Sequence, residues 1–268
     1  MARVGVLQMT SSSHVIENLD VLRGFFIKAN DLGIRLLILP ENCAYMGKKD
    51  TDKQSIAETF GSGPIQDTIS QLAQQYAIWV VAGTIPLKTT TDKVSAASLV
   101  YDETGRCVAR YDKIHLFDVH VSAEESHQES MTTQRGTQVV SLDTPVGRIG
   151  LSVCYDLRFP ELYRQLVLQG AEILVVPAAF TAITGAAHWD SLLRARAIEN
   201  LCYVLAANQG GLHASGRQTY GHSMIIDPWG KMLCEQKNGA GLQYADIDLQ
   251  RLKQLRRQFP SNDHHVLS

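Results

Sequence analysis

The chain has 268 residues, 45% of them hydrophobic, and a net charge of −2, which suits one large α/β unit with a substantial core. Its basic residues are scattered, the 251–257 cluster reads as the wet face of a helix, and the electrostatic footprint of a nucleic-acid binder is excluded. No apolar run reaches a membrane-spanning length, and Cys43, Cys107, Cys154, Cys202 and Cys234 are odd in number, widely spaced and without a CxxC pair, against a disulfide framework or a zinc site.

The first residues enter a strand pattern without the shape of a signal peptide, so a soluble, cytoplasmic setting is expected. Residues 4–9 read as a strand. Ser11, Ser12 and Ser13 offer caps for a helix on which Val15, Leu19, Leu22, Phe26 and Ala29 recur at helical spacing, and Gly33 ends it. Residues 36–39 form a buried strand stopped by Pro40, completing a strand–helix–strand opening. Residues 44–62 are polar and irregular. A helix over 65–76 and a buried strand over 79–83 follow. Residues 97–102 and 107–111 flank Glu103-Thr104-Gly105-Arg106, a hairpin signal. Residues 112–136 form a long polar segment with three histidines and three glutamates. A loop of that length in a compact fold is usually functional.

Residues 139–142 and 149–153 pair around Pro145-Val146-Gly147. Pro160 and Glu161 suit the first turn of a helix that runs to 168 and is capped by Gly170. Residues 173–176 form a strand ended by Pro177. A helix over 188–200 and a strand over 203–207 come next. Residues 223–226 and 232–235 flank Asp227-Pro228-Trp229-Gly230, a strong turn. Residues 244–247 are a strand and 249–259 a helix. No linker or fixed-period repeat divides the chain, so a single domain over 1–268 is expected. Strands and helices alternate, and some connections are hairpins, which implies mixed sheets with helices outside: a layered α/β fold.

Three apolar strands end in reactive side chains: Leu39-Pro40-Glu41, Arg110-Tyr111-Asp112-Lys113 and Val153-Cys154. Ligands gather beyond the carboxyl ends of strands, so neighbouring strands would bring Glu41, Lys113 and Cys154 into one pocket. Acyl transfer from an amide needs a nucleophile, and a thiol at a strand-to-helix turn, with its pKa lowered by the helix N-terminus, supplies one. It needs a group that takes the thiol proton and returns it to the departing amine, which a buried glutamate can do. It also needs positive charge where the oxyanion forms, which a fixed lysine can provide. Each residue taken alone has a blander reading: a packed cysteine, a capping or ion-paired glutamate, a surface lysine.

Taken together, Leu39-Pro40-Glu41, Tyr111-Asp112-Lys113-Ile114-His115-Leu116 and Val153-Cys154-Tyr155-Asp156-Leu157-Arg158-Phe159-Pro160-Glu161 resemble the three signature blocks of the nitrilase superfamily, in that family's order. The resemblance runs from residue 3 to residue 260. It implies a four-layer α-β-β-α sandwich, a Glu-Lys-Cys triad, a thioester acyl-enzyme, and hydrolysis of carbon–nitrogen bonds without metal or organic cofactor. It implies a second glutamate in the loop after the lysine, which Glu129 matches ahead of Glu124 and Glu125. It implies a small-molecule amide substrate and a homodimer or higher homo-oligomer, paired through helices beside the site.

Within the family the chain is most similar to the Nit branch, amidases of α-keto acid amides. The segment from Ala179 through Phe180, Thr184 and Gly185 to Trp189 fits that branch's pocket block, with Ala186 where proline is usual. Substrate-binding candidates are Arg158, Tyr155, Phe180 and Thr184. The Arg158 guanidinium could clamp a carboxylate with two hydrogen bonds or pair with Asp156 or Glu161. Phe180 and Thr184 line the pocket or serve as core and cap. Tyr220, His222 and the loop over 118–135 are candidates for the leaving-group side. Arg194, Arg196 and His188 read as structural. A papain-type peptidase with a histidine base and a non-catalytic binding module are the rival classes.

Overall fold

The computed structural model describes residues 1–121, 126–264 and 266. Among these residues are five α-helices, α1 (Val15–Asp31), α2 (Pro64–Tyr76), α3 (Pro160–Leu168), α4 (Ala182–Asn200) and α5 (Leu249–Gln258), and two large sheets of eight and six strands. The first sheet runs Gly241–Ile247, Ala2–Gln8, Leu36–Ile38, Trp79–Val81, Val94–Tyr101, Ile85–Lys88, with Cys107–Asp112 and Thr133–Gln134 also paired to Val94–Tyr101. The second runs Ser141–Thr144, Gly147–Leu151, Ile173–Ala178, Tyr203–Asn208, Ser223–Ile226, Met232–Gln236.

Each sheet contains three parallel strands joined by two helices. Ala2–Gln8, Leu36–Ile38 and Trp79–Val81 are parallel and connected through α1 and α2. Gly147–Leu151, Ile173–Ala178 and Tyr203–Asn208 are parallel and connected through α3 and α4. Side chains alternate across a strand, and that alternation sorts the layers. Leu37, Leu39 and Val80 share a core with Leu22 and Phe26 of α1 and Ile69 and Leu72 of α2. Their neighbours Leu36, Ile38 and Val81 turn the other way, into a core with Leu151, Val175 and Leu205 of the second sheet. That core extends to Leu162 and Leu166 of α3 and to Trp189 and Leu193 of α4. The result is helices, sheet, sheet, helices: the four-layer α-β-β-α sandwich. Full burial of each such Leu, Ile or Phe contributes about 1.5–3 kcal/mol.

The structure departs from the sequence reading at several boundaries. Helix α1 is capped at His14 with no side-chain cap bond. The serines lie one step earlier, where the Ser12 N–H donates to Asn18 Oδ1 and the Ser12 hydroxyl accepts from the His14 N–H. Pro177 lies inside the Ile173–Ala178 strand rather than ending it. The neighbouring strand stops at Leu151, opposite Val175, so the missing N–H of Pro177 costs no ladder bond on that edge.

Helix α4 begins at Ala182, not 188, with Thr181 as N-cap. Thr184 and Gly185 weaken the helical signal there. Gly185 serves close packing: a Cβ on it would lie 2.3 Å from Tyr220 Cβ. Two short elements went unread, the Ile85–Lys88 strand and the hairpin of Gly210–Leu212 with Gln218–Tyr220. The expected loop over 112–136 contains another hairpin, Asp118–His120 with Ser126–Gln128, and a short 3₁₀ turn, Glu129–Met131.

Candidate active site

The three strand ends converge. Glu41 follows the Leu36–Ile38 strand, Lys113 follows Cys107–Asp112, and Cys154 lies three residues beyond Gly147–Leu151. All three side chains are buried; Lys113 is 2% exposed, Glu41 5% and Cys154 7%. Lys113 Nζ donates to Glu41 Oε1 at 2.9 Å and to Glu129 Oε2 and Oε1 at 2.8 and 3.1 Å. The remaining Glu41 oxygen accepts from the Ala179 N–H at 2.9 Å. Glu129 Oε2 also accepts from the Phe117 N–H at 2.8 Å. Every charged oxygen and every ammonium proton in the group therefore has a partner, as burial demands. Glu124 and Glu125, the competing candidates, lie outside the described residues.

Cys154 sits in an unusual backbone. Its φ is +50°, left-handed for a residue with a Cβ, which costs on the order of 1–2 kcal/mol. A 3₁₀ turn, Cys154–Arg158, carries the chain from there toward Pro160 at the first turn of α3. The side chain of Asp156, wholly buried, holds this turn. It accepts from the Val153 N–H at 2.8 Å, the Tyr111 hydroxyl at 2.7 Å and the His115 N–H at 3.0 Å, and meets His115 Nδ1 at 2.7 Å. The His115 ring stacks on Phe159 with centroids 3.7 Å apart. Sequence reasoning cast Asp156 only as an ion partner for Arg158; its three residues' distance from a strand-end N–H was the signal of a local turn acceptor.

Burial alone would pull the Lys113 ammonium down, but the carboxylates of Glu129 and Glu41 outweigh it and hold the amine well above its ordinary range. Burial pushes Glu129 up, and the Lys113 and Lys53 charges more than offset this, leaving it below the usual carboxylate range. The lysine is thus a fixed cation and Glu129 a fixed anion. The thiol of Cys154 departs from the expectation of a lowered pKa. Burial and then the Glu41 charge raise it, and Lys113 offsets only part of that rise. The resting group is a thiol with a carboxylate beside it.

The cavity in front of these groups has a volume of about 80 Å³ and opens to solvent. Glu41, Lys113, Cys154 and Glu129 line it, as do Tyr155, Phe180 and Thr184. The two readings offered for Phe180 and Thr184 are both realised. Phe180 packs on Trp189 at 4.9 Å between centroids, and the Thr184 N–H donates to the N-cap hydroxyl of Thr181. Arg158 is not among the lining residues. Its guanidinium donates to exposed His188 at 3.2 Å and lies over the Phe180 and Tyr155 rings at 5.2 and 5.8 Å. It makes no ion pair with Asp156, whose oxygens are taken, or with exposed Glu161. Tyr220 and His222 stack on each other at 4.2 Å and do not line the cavity, while Phe117 and His127 of the long loop do. Arg194 bonds Asp190, and Arg196 bonds the Leu157 carbonyl, both structural as read.

Two cations at the cavity wall escaped the sequence reading, Lys53 and Arg217. Lys53 lies in the aperiodic 44–62 stretch. Arg217 follows the Ser215-Gly216 turn of the unread hairpin, and that dipeptide was the available signal.

A family model described as carbon–nitrogen hydrolase matches residues 3–257. A deaminated glutathione amidase of Yersinia enterocolitica is 41% identical over 98% of this chain and 93% of its own length. A protein of the same name from Synechocystis sp. is 43% identical over 97% and 96%. Among solved structures, the C. elegans NitFhit protein superposes with a TM-score of 0.92 at 36% identity, covering 99% of this chain and 66% of that one. Among the described residues, no helix is long and apolar enough to cross a membrane.

Proposed function

The chain belongs to the carbon–nitrogen hydrolase family, and from that premise we propose that it is an amidase that cleaves a small α-keto acid amide through a thioester on Cys154. Deaminated glutathione, for which its relatives are named, is the preferred substrate. The observation that carries this reading is the buried Lys113 ammonium held between Glu41 and Glu129 on the wall it shares with Cys154.

The raised thiol pKa sets the order of events. Glu41 takes the Sγ proton as the sulfur attacks the amide carbonyl, so thiolate is made only when it is used. Negative charge develops on the carbonyl oxygen, and Lys113 stabilises it. One ammonium proton can turn from the longer bond to Glu129, while Glu129 keeps the chain end in place. The tetrahedral adduct collapses: the carbon–nitrogen bond breaks, and Glu41 returns its proton to the departing amine. Water then takes the amine's place, loses a proton to Glu41 and attacks the thioester. The acid leaves, and the proton returns to sulfur.

The cysteine–histidine alternative has less support, because the charge that bears most on the thiol is a carboxylate, Glu41. For the acyl half, Tyr155, Phe180 and Thr184, which line the cavity, are the residues we assign to the keto acid, with Arg158 supporting the first two through its contacts to their rings.

The test is a panel of deaminated glutathione, α-ketoglutaramate, simple amides and nitriles, with amine and ammonia release both measured. The expected order of kcat/KM places deaminated glutathione first and nitriles at background. Equal constants for the first two would overturn the substrate assignment. No release from any amide would overturn the class.

A further inference from the structure

We propose that Lys53 and Arg217 form an anion subsite for a carboxylate carried by the departing half of the substrate. The inference rests on the amide-hydrolase reading above and adds to it the chemistry of the leaving group.

Both side chains line the cavity that contains Cys154, and both also line an adjoining outer groove whose rim adds Lys48 and Lys49. They therefore stand at the neck between thiol and solvent, with Asn42, Tyr45 and Asp50. Arg217 Nη2 donates at 2.9 Å to the carbonyl of Ala179, the residue whose N–H donates to Glu41. That bond fixes the guanidinium next to the triad. Its Nε is buried and has no acceptor among the described residues, and buried donors are seldom left so. Lys53 Nζ donates to Thr133 Oγ1 at 2.8 Å, and among the described residues no carboxylate comes within ion-pair distance of either cation. Burial pulls the Lys53 amine below its ordinary range against the charges of Glu129 and Asp50. Two partly buried cations without an ion-pair partner among the described residues are complementary to an anion brought by the ligand.

The order of bond breaking says which half of the substrate brings it. After the first step the acyl half stays on sulfur, while the amine must leave and water must enter. The departing half therefore faces the open neck. A carboxylate a few bonds from the departing nitrogen, as in an amino acid or short peptide acid, falls between Lys53 and Arg217. Ammonia, the leaving group of a primary amide, brings nothing there.

The experiment compares three amides with one acyl half: a leaving dipeptide with a free carboxylate, the same dipeptide capped as a carboxamide, and ammonia. The quantity read is the kcat/KM ratio of free to capped dipeptide, so any general damage to the enzyme cancels. The native chain should show a ratio of about ten to one hundred, the scale of hydrogen bonds to a charged group. Arg217→Gln and, separately, Lys53→Met should bring it toward one, and Arg217→Lys should keep part of it. A native ratio near one, with all three amides hydrolysed, overturns the subsite and leaves the amidase reading standing. So does a ratio that neither variant changes. Absence of hydrolysis of all three amides overturns both readings.

Discussion

The Tyr111 hydroxyl donates to Asp156 Oδ2 at 2.7 Å, and that bond, beside the His115 contacts to the same carboxylate, ties the strand that delivers Lys113 to the turn that delivers Cys154. Both partners are fully buried. Asp156 also holds the Val153 N–H, so the bond acts on the backbone that sets the left-handed Cys154. Tyr111→Phe removes the donor and keeps the ring. It should lower stability by about 1.5–3 kcal/mol, the scale of a hydrogen bond to a charged group, read by urea unfolding. Turnover should fall too, because the thiol loses a fixed position. A variant with native stability and native turnover would show the link to be idle.

Lys113→Met removes the cation and keeps the chain length. Losing one oxyanion donor costs roughly 100-fold or more in turnover, so a loss of at least that size is expected. Circular dichroism separates this from unfolding, which is a real hazard because Glu41 and Glu129 are left facing each other without their cation. Near-normal turnover in a folded variant would remove lysine from the mechanism.

The raised thiol pKa of Cys154 has a sign that can be measured. A raised pKa means protonated sulfur at neutral pH, so Cys154 alkylation by iodoacetamide should climb with pH past the ordinary thiol range without a neutral plateau. Glu41→Gln removes a raising charge and should shift the profile to lower pH. Cys43 and Cys202, also pushed up by burial, to about 12 and about 11, should stay unlabelled. A slow substrate should add its acyl mass to Cys154 alone. A native profile with a plateau at neutral pH would mean a preformed thiolate.

How much of this could be read from the residues depends on what each one's neighbours are. Glu41, Lys113 and Cys154 stand out because each ends an apolar strand, a local fact, and the resemblance of their three blocks to one family sets aside the blander reading of each. Leu36 to Leu39 alternate between two cores, and the run of four apolar residues announces that both faces are covered. The partners of Arg158 are not legible because they come from α4, thirty residues on, whose His188 takes the guanidinium. Lys53 and Arg217 are hard to place at the site for a related reason, although the Ser215-Gly216 turn marks the hairpin beside Arg217. Each sits in a polar stretch without periodicity, and only the packing of two distant segments brings both to one neck.

The place given to Arg158 also has a test. The guanidinium lies over the Phe180 ring at 5.2 Å, and we assign it to holding that ring against the acyl half. Arg158→Lys should therefore lower kcat/KM for deaminated glutathione and for α-ketoglutaramate alike, since an ammonium cannot cover the Phe180 ring as the planar guanidinium does. Loss confined to one substrate, or no loss, would place the keto acid elsewhere.

Charge stabilisation by Lys113 leaves no step that calls for a Lewis acid. Dialysis against a strong chelator should leave kcat/KM unchanged. A loss of activity restored by added zinc would require a different mechanism.

Ala2–Gln8 pairs antiparallel with Gly241–Ile247, residue for residue from Ala2 opposite Ile247 to Gln8 opposite Gly241. At translation speeds of about 5–20 residues per second, roughly 12–48 s separate the synthesis of these two strands on the ribosome. For that time the Ala2–Gln8 strand has an open edge, and Val4, Val6 and Leu7 await partners. Such an edge invites pairing with another nascent chain. The protein's yield in the cell should therefore depend on chaperone supply more steeply than the stability of the finished enzyme would suggest.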